Sequence, residues 1–269
     1  IKIWSLAGAK FKALQRKPEE KYSKYTSLAA VWHNTSNSII TAQKYRSTKD
    51  LISIDIVNVD SNKIVETIYQ SAEKNSIDSL FFSPEADLII TKTRYESIKS
   101  ISLSSKRSEE ILPDLTGLVE TVSISPDAKL IAISHIAWSD PETGIEYAYG
   151  DSRRHNVSPE ILIYSIVDKK VILKIKTDHI GFFINPNISS ICWMPNKPIL
   201  AAGAADNTIS IWDTTDGKRI HLLEGHYGKV MDLDFSSDGH LLVSKSYEDR
   251  MLRIWRTDTW QTIAQISEP

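Results

Sequence analysis

The chain has 269 residues, 41% hydrophobic and 25% charged, the balance of a soluble globular protein with room for one large all-β domain or two ordinary ones. A formal net charge of −2 excludes a nucleic-acid binder driven by overall charge. The single cysteine, Cys192, excludes an internal disulfide framework and fits a reducing, cytoplasmic or otherwise intracellular compartment, and no apolar run reaches the length of a membrane span.

In chain order, residues 1–4 read as a strand interior and not as a signal peptide, and residues 11–16 supply a second strand. A ladder then begins to recur: an apolar residue, two others, an apolar residue, one other, a large apolar residue, and a turn of Ser-Pro type. A faint copy ends at Trp32. Clear copies are Ile77, Leu80, Phe82, Ser83, Pro84; Val119, Val122, Ile124, Ser125, Pro126; Ile188, Ile191, Trp193, Met194, Pro195; and Val230, Leu233, Phe235, Ser236, Ser237. A unit repeating at roughly 40–50 residues signals radially repeated blades.

Each ladder is followed by further apolar runs with period-two alternation, such as 199–202 and 209–212, then 241–243 and 252–255, which predict strands. Asp206-Asn207, Asp216-Gly217 and Asp238-Gly239 predict tight turns, because these residues tolerate positive φ. Strands over 219–223 and 262–266 close the last two units. No stretch holds a helical period, so the expected fold class is all-β.

The expected units are a partial blade over 1–23 and complete four-stranded blades over 24–70, 71–113, 114–177, 178–224 and 225–269. A two-stranded leftover is marginal by itself, and a propeller closes its ring to protect its edges. The expectation is therefore part of a six- or seven-bladed β-propeller spanning 1–269, with a five-bladed ring flanked by residues 1–16 as the alternative.

The last unit contains Gly225-His226, the ladder from Val230, Ser244, Asp249 and Leu252-Arg253-Ile254-Trp255. The preceding one contains Asp206-Asn207-Thr208 and Ile209-Ser210-Ile211-Trp212-Asp213. Both resemble the WD40 repeat, which opens on Gly-His and closes its third strand on Trp-Asp. Trp212 and Trp255 lie 43 residues apart, within that repeat's range. Trp4 looks like a further copy, while Val57, Ile101 or Leu103, and Tyr164 take the Trp slot in the middle units. The resemblance implies a hydrogen-bonded tetrad of His226, Ser244, Asp249 and Trp255, since a buried indole N–H needs an acceptor and an imidazole can link a hydroxyl to a carboxylate. Ala202 stands in the hydroxyl slot of the 178–224 unit, so its tetrad is incomplete.

Ser, His and Asp in one unit also invite a hydrolase reading. Ser244, however, follows Leu241-Leu242-Val243 in a strand and lacks a Gly-flanked elbow. The seven histidines show no metal spacing and no Gly-rich phosphate loop occurs, so neither metal nor cofactor is expected. Cys192 reads as a core thiol.

The resemblance puts the loops between strands two and three on one rim with the loops joining successive blades. These loops carry Tyr45, Arg46, Arg94, Tyr95, Tyr247 and Arg250, and the long insertion 135–159 adds Trp138, Arg153 and Arg154. Tyr, Trp and Arg are enriched at binding hot spots, and a loop of that length is usually functional or disordered. The expected role is a noncatalytic scaffold or sensor whose rim binds a protein or peptide partner, acidic or phosphorylated, because arginine forks pair with carboxylate and phosphate. Two other readings stay open. One is a propeller gating an enzyme whose catalytic part lies upstream, since Ser125-Pro126-Asp127 also resembles peptidase propellers. The other is a single-strand nucleic-acid binder using Tyr45, Arg46, Arg94 and Tyr95, which the acidic balance disfavours.

Overall fold

The computed structural model describes residues 2–4, 11–13, 25–33, 37–45, 51–61, 63–72, 77–83, 86–93, 97–115, 117–137, 159–177, 187–246 and 248–267. All regular structure among them is strand, in two compact units, Ile1–Pro113 and Asp114–Pro269.

The first unit holds a two-stranded antiparallel piece, β1 (Lys2–Trp4) with β2 (Phe11–Ala13), and two four-stranded sheets. One is β3 (Tyr25–His33), β4 (Ser38–Tyr45), β5 (Leu51–Asn58) and β6 (Lys63–Ser71). The other is β7 (Ile77–Ser83), β8 (Leu88–Thr93), β9 (Ile98–Ser102) and β10 (Ser108–Ile111). The second unit holds three sheets of the same plan. They are β11 (Gly117–Ile124), β12 (Leu130–Ala137), β13 (Glu160–Ser165) and β14 (Lys170–Lys176); β15 (Ile188–Trp193), β16 (Ile199–Ala204), β17 (Ile209–Asp213) and β18 (Arg219–Leu223); and β19 (Val230–Phe235), β20 (Leu241–Ser246), β21 (Met251–Arg256) and β22 (Thr262–Ser267). Every strand pairs antiparallel with its sequence neighbour, the up-and-down order of a propeller blade.

The odd spacing of the ladder has a physical cause. An ordinary strand keeps one face at every second residue, yet the ladder spaces its first two apolar residues by three. In all five sheets the first strand carries a β-bulge at that point, between Ser27 and Ala29, Ile77 and Ser79, Val119 and Thr121, Ile188 and Ser190, and Val230 and Asp232. The extra residue restores the phase, so Val230 and Leu233 stay on one buried face.

Cross-strand register also fixes the Trp slot. Val57 pairs with Ile39, Ile101 with Ile89, Tyr164 with Ile131, Trp212 with Leu200, and Trp255 with Leu242. Ile101, not Leu103, thus holds the slot in the second sheet, and all five slot residues are buried. Ile211, Cys192 and Ala201 of one sheet and Leu233, Phe235 and Leu242 of the next share a core. Trp193 and Trp212 pack with Ile161, Ile163 and Ile175 of the sheet before. In the first unit Ile40, Ile54 and Ile56 meet Ile77, Leu80 and Ile89.

Turn chemistry holds the sheets at their ends. Ser125 Oγ donates to Asp127 Oδ1 at 2.7 Å and Ser236 Oγ to Asp238 Oδ1 at 2.6 Å, and each serine oxygen accepts an N–H from five residues on. At the turn between third and fourth strands Lys106, Lys169, Gly217 and Trp260 all take positive φ.

Candidate functional site

The four tetrad residues come from four successive local structures. His226 lies in the loop joining β18 to β19, Ser244 in β20, Asp249 in the turn after β20, and Trp255 in β21. The Trp255 indole N–H donates to Ser244 Oγ at 2.9 Å. Ser244 Oγ lies 2.7 Å from His226 Nε2, and His226 Nδ1 lies 2.7 Å from Asp249 Oδ2. An indole only donates and a serine has one hydroxyl proton, which then goes to Nε2; Nδ1 therefore carries the imidazole proton and donates to the carboxylate. Asp249 also accepts the N–H groups of Tyr227 at 3.0 Å and Met251 at 2.8 Å. Burial pushes its carboxyl up, but the His226 bond and these two amides outweigh it and hold the group below its ordinary value. Ser244 stands one residue further from Trp255 than Ala202 does from Trp212, and in the turn between them Arg250 takes φ of 53°.

Chemically this is a clamp. It ties the joining loop to the turn between strands two and three and leaves no reactive group free. Ser244 is fully buried with its oxygen engaged on both sides, so a serine-nucleophile reading has no reachable hydroxyl. Cys192 is buried as well, and burial, with Asp234 and Asp232 nearby, pushes its thiol well above the usual range.

In the sheet β15–β18 the clamp is broken at the predicted position. Ala202 pairs with Ser210 where Ser244 pairs with Arg253. The buried Trp212 Nε1 and Ser210 Oγ have no hydrogen-bond partner. Asp206 keeps its turn role, accepting from the Thr208 amide at 3.1 Å and hydroxyl at 2.7 Å.

Of the rim residues expected from the sequence, Arg250 is described and is exposed beside Asp249. Tyr45 ends β4, paired with Leu51, and its side chain is outside the described residues. Arg46, Arg94, Tyr95, Trp138, Arg153, Arg154 and Tyr247 also lie outside them.

Other residues come to light only in three dimensions. Tyr227, directly after the clamp histidine, is 85% exposed; an aromatic following Gly-His was the available signal. Thr41 and Thr91 occupy the hydroxyl slot of the first unit's two sheets, both buried, although no indole faces them there. At the base of the insertion, His135 Nδ1 lies 3.1 Å from Glu160 Oε1. That bond holds the Glu160 carboxyl below its usual value against burial. Gly117 has φ of 135°, and a Cβ there would fall 2.5 Å from His135 Nε2, so only glycine leaves the ring its place.

Four-stranded antiparallel sheets, each with a bulged first strand and a buried slot residue in the third, are the blades of a β-propeller. The family described as "WD domain, G-beta repeat" matches residues 177–213 and 217–256, the two repeats that carry Trp212 and Trp255. It is 37% identical over 81 residues to "Probable cytosolic iron-sulfur protein assembly protein 1" of Candida glabrata, covering 26% of this chain and 24% of that one. It is 32% identical over 65 residues to the U5 small nuclear ribonucleoprotein 40 kDa protein of Pongo abelii, covering 24% and 18%. An uncharacterized WD repeat-containing protein of Synechocystis is 24% identical over 172 residues, covering 64% and 41%. The matched part thus spans less than half of each of these relatives.

Proposed function

We propose that this chain is a noncatalytic interaction module that holds a protein or peptide partner on the rim where sheet-joining loops meet the turns between second and third strands. The observation that carries this is the clamp. His226 and Asp249 bind these two loops together, and Tyr227 and Arg250 stand exposed beside them. A loop already held in place loses less entropy on association, and exposed Tyr and Arg suit an anchoring role. Arg46, Arg94, Arg153 and Arg154 extend the same reading along the sequence and favour an acidic or phosphorylated segment. Two relatives are named for iron-sulfur protein assembly and for a small nuclear ribonucleoprotein, which supports a role in assembling proteins. A cytosolic setting belongs to this reading, in line with the single buried thiol.

The test is charge reversal at Arg94 and Arg250 together. The tagged full chain and the double variant are compared in quantitative pull-down across a salt series. A partner retained by the wild-type chain should be lost, with a shallower salt dependence, from the variant. Equal retention by both removes the rim from consideration.

A further inference from the structure

The outer strands show a second repeated irregularity. Opposite the Trp slot the fourth strand bulges in four of the five sheets, and the residue set out of register is Val65, Ile172, Ile220 or Ile263. Each is β-branched and aliphatic, and each is 41–64% exposed. Bulges blunt sheet edges, which otherwise present unpaired backbone groups to any passing chain.

One edge differs from the rest in charge. In β14, Lys170, Lys174 and Lys176 are exposed. Ile172, 49% exposed, is the bulged residue between them. No acidic residue lies on the strand. The nearest carboxylate in register, Glu160 opposite Lys176, is hydrogen-bonded by His135 and is also stabilised by the charges of Lys174 and Lys176. The inner-facing neighbours Leu173 and Ile175 pack into the core, so β14 is a firmly seated strand with a cationic border.

We propose that β14 is a docking edge for an extended acidic segment of another protein, which adds to the sheet β11–β14 as a fifth strand. Lysines on an edge oppose pairing with a second copy of the same strand, because like charges then face each other. Toward an acidic segment the same charges attract, so the guard becomes a filter for partner sign. Backbone hydrogen bonds supply the pairing, Ile172 supplies an apolar contact, and Lys174 and Lys176 select carboxylates. None of the rim residues named above lies on this strand, although its end at Lys176 pairs with Glu160 at the base of the insertion, and the proposal stands or falls without the rim.

The probe is a fluorescent peptide of about eight residues, the length of an ordinary strand, alternating valine and glutamate. Binding to the full chain is read by anisotropy at low salt. A peptide with lysine in place of glutamate and one N-methylated at alternate amides serve as comparisons. The acidic peptide is expected to bind, the basic one to fail, and the N-methylated one to lose binding while keeping every charge. Lys174→Glu with Lys176→Glu should weaken binding about tenfold, since exposed pairs each contribute modestly and both change sign. Unaltered thermal melting of that variant keeps the comparison clean. Absence of binding, equal binding of the basic peptide, or binding that survives N-methylation overturns the proposal, the last showing a mere electrostatic patch.

Discussion

Trp212 and Trp255 occupy one register position in successive sheets, yet only Trp255 has its indole N–H bonded. The difference is a single oxygen, present in Ser244 and missing in Ala202. Removing it with Ser244→Ala leaves a buried indole donor and the His226 Nε2 acceptor unpaired together, which should cost about 2–3 kcal/mol. Supplying it with Ala202→Ser should add about 1 kcal/mol by giving Trp212 an acceptor. Urea unfolding followed by tryptophan fluorescence reads both; a loss on Ala202→Ser would show that the packed slot has no room for a hydroxyl. Asp249 adds a pH signature. Its carboxyl titrates below the ordinary 3.8 in the folded chain, so its ionised form stabilises the fold, fully above that value and progressively less as acid protonates it. The melting difference between wild type and Asp249→Asn should therefore be constant near neutrality and close as pH falls below 3.8. A gap that persists into stronger acid would assign the effect to packing instead.

Among the elements, the turn between third and fourth strands sets backbone conformation against burial. Gly217 and Trp260 hold equivalent places there with φ of 73° and 56°, each donating its N–H to the carbonyl four residues back. Glycine adopts this conformation freely, whereas other residues pay about 1–2 kcal/mol, and a bulky one is a genuine outlier. Trp260 keeps it because its ring lies edge-on to Phe235, with centroids 6.5 Å apart, and beside His221 at 5.6 Å. Burying much of an aromatic side chain contributes about 2 kcal/mol or more, so packing wins over strain. Gly217→Ala should lower stability by about 1 kcal/mol. Trp260→Gly should lower it too, by about 1 kcal/mol or more despite the relaxed backbone, as seen in denaturant midpoints. A stabilised Trp260→Gly would reverse that ranking.

At the scale of the whole molecule, what could be read from the sequence follows from what is local. The ladder, the strands and the Asp-Gly turns depend on neighbours within a few residues, and these were legible. The offset at Val230 and Leu233 was visible as a pattern, while its cause, a bulge, belongs to pairing with β20. Ile101 and Leu103 could not be separated along the chain, because both are aliphatic and the partner Ile89 decides. Thr41, Thr91 and the His135–Glu160 pair were likewise invisible, as each acquires its place from a strand brought alongside. Tyr227 carried a faint signal, adjacency to His226, that gains meaning once Asp249 receives its amide. Cys192 has a practical consequence. The chain's sole thiol is sealed between β15–β18 and β19–β22, so an alkylating reagent can reach it when those sheets part. Its labelling rate is thus a native clock for blade separation, with no competing sulfhydryl to blur the count.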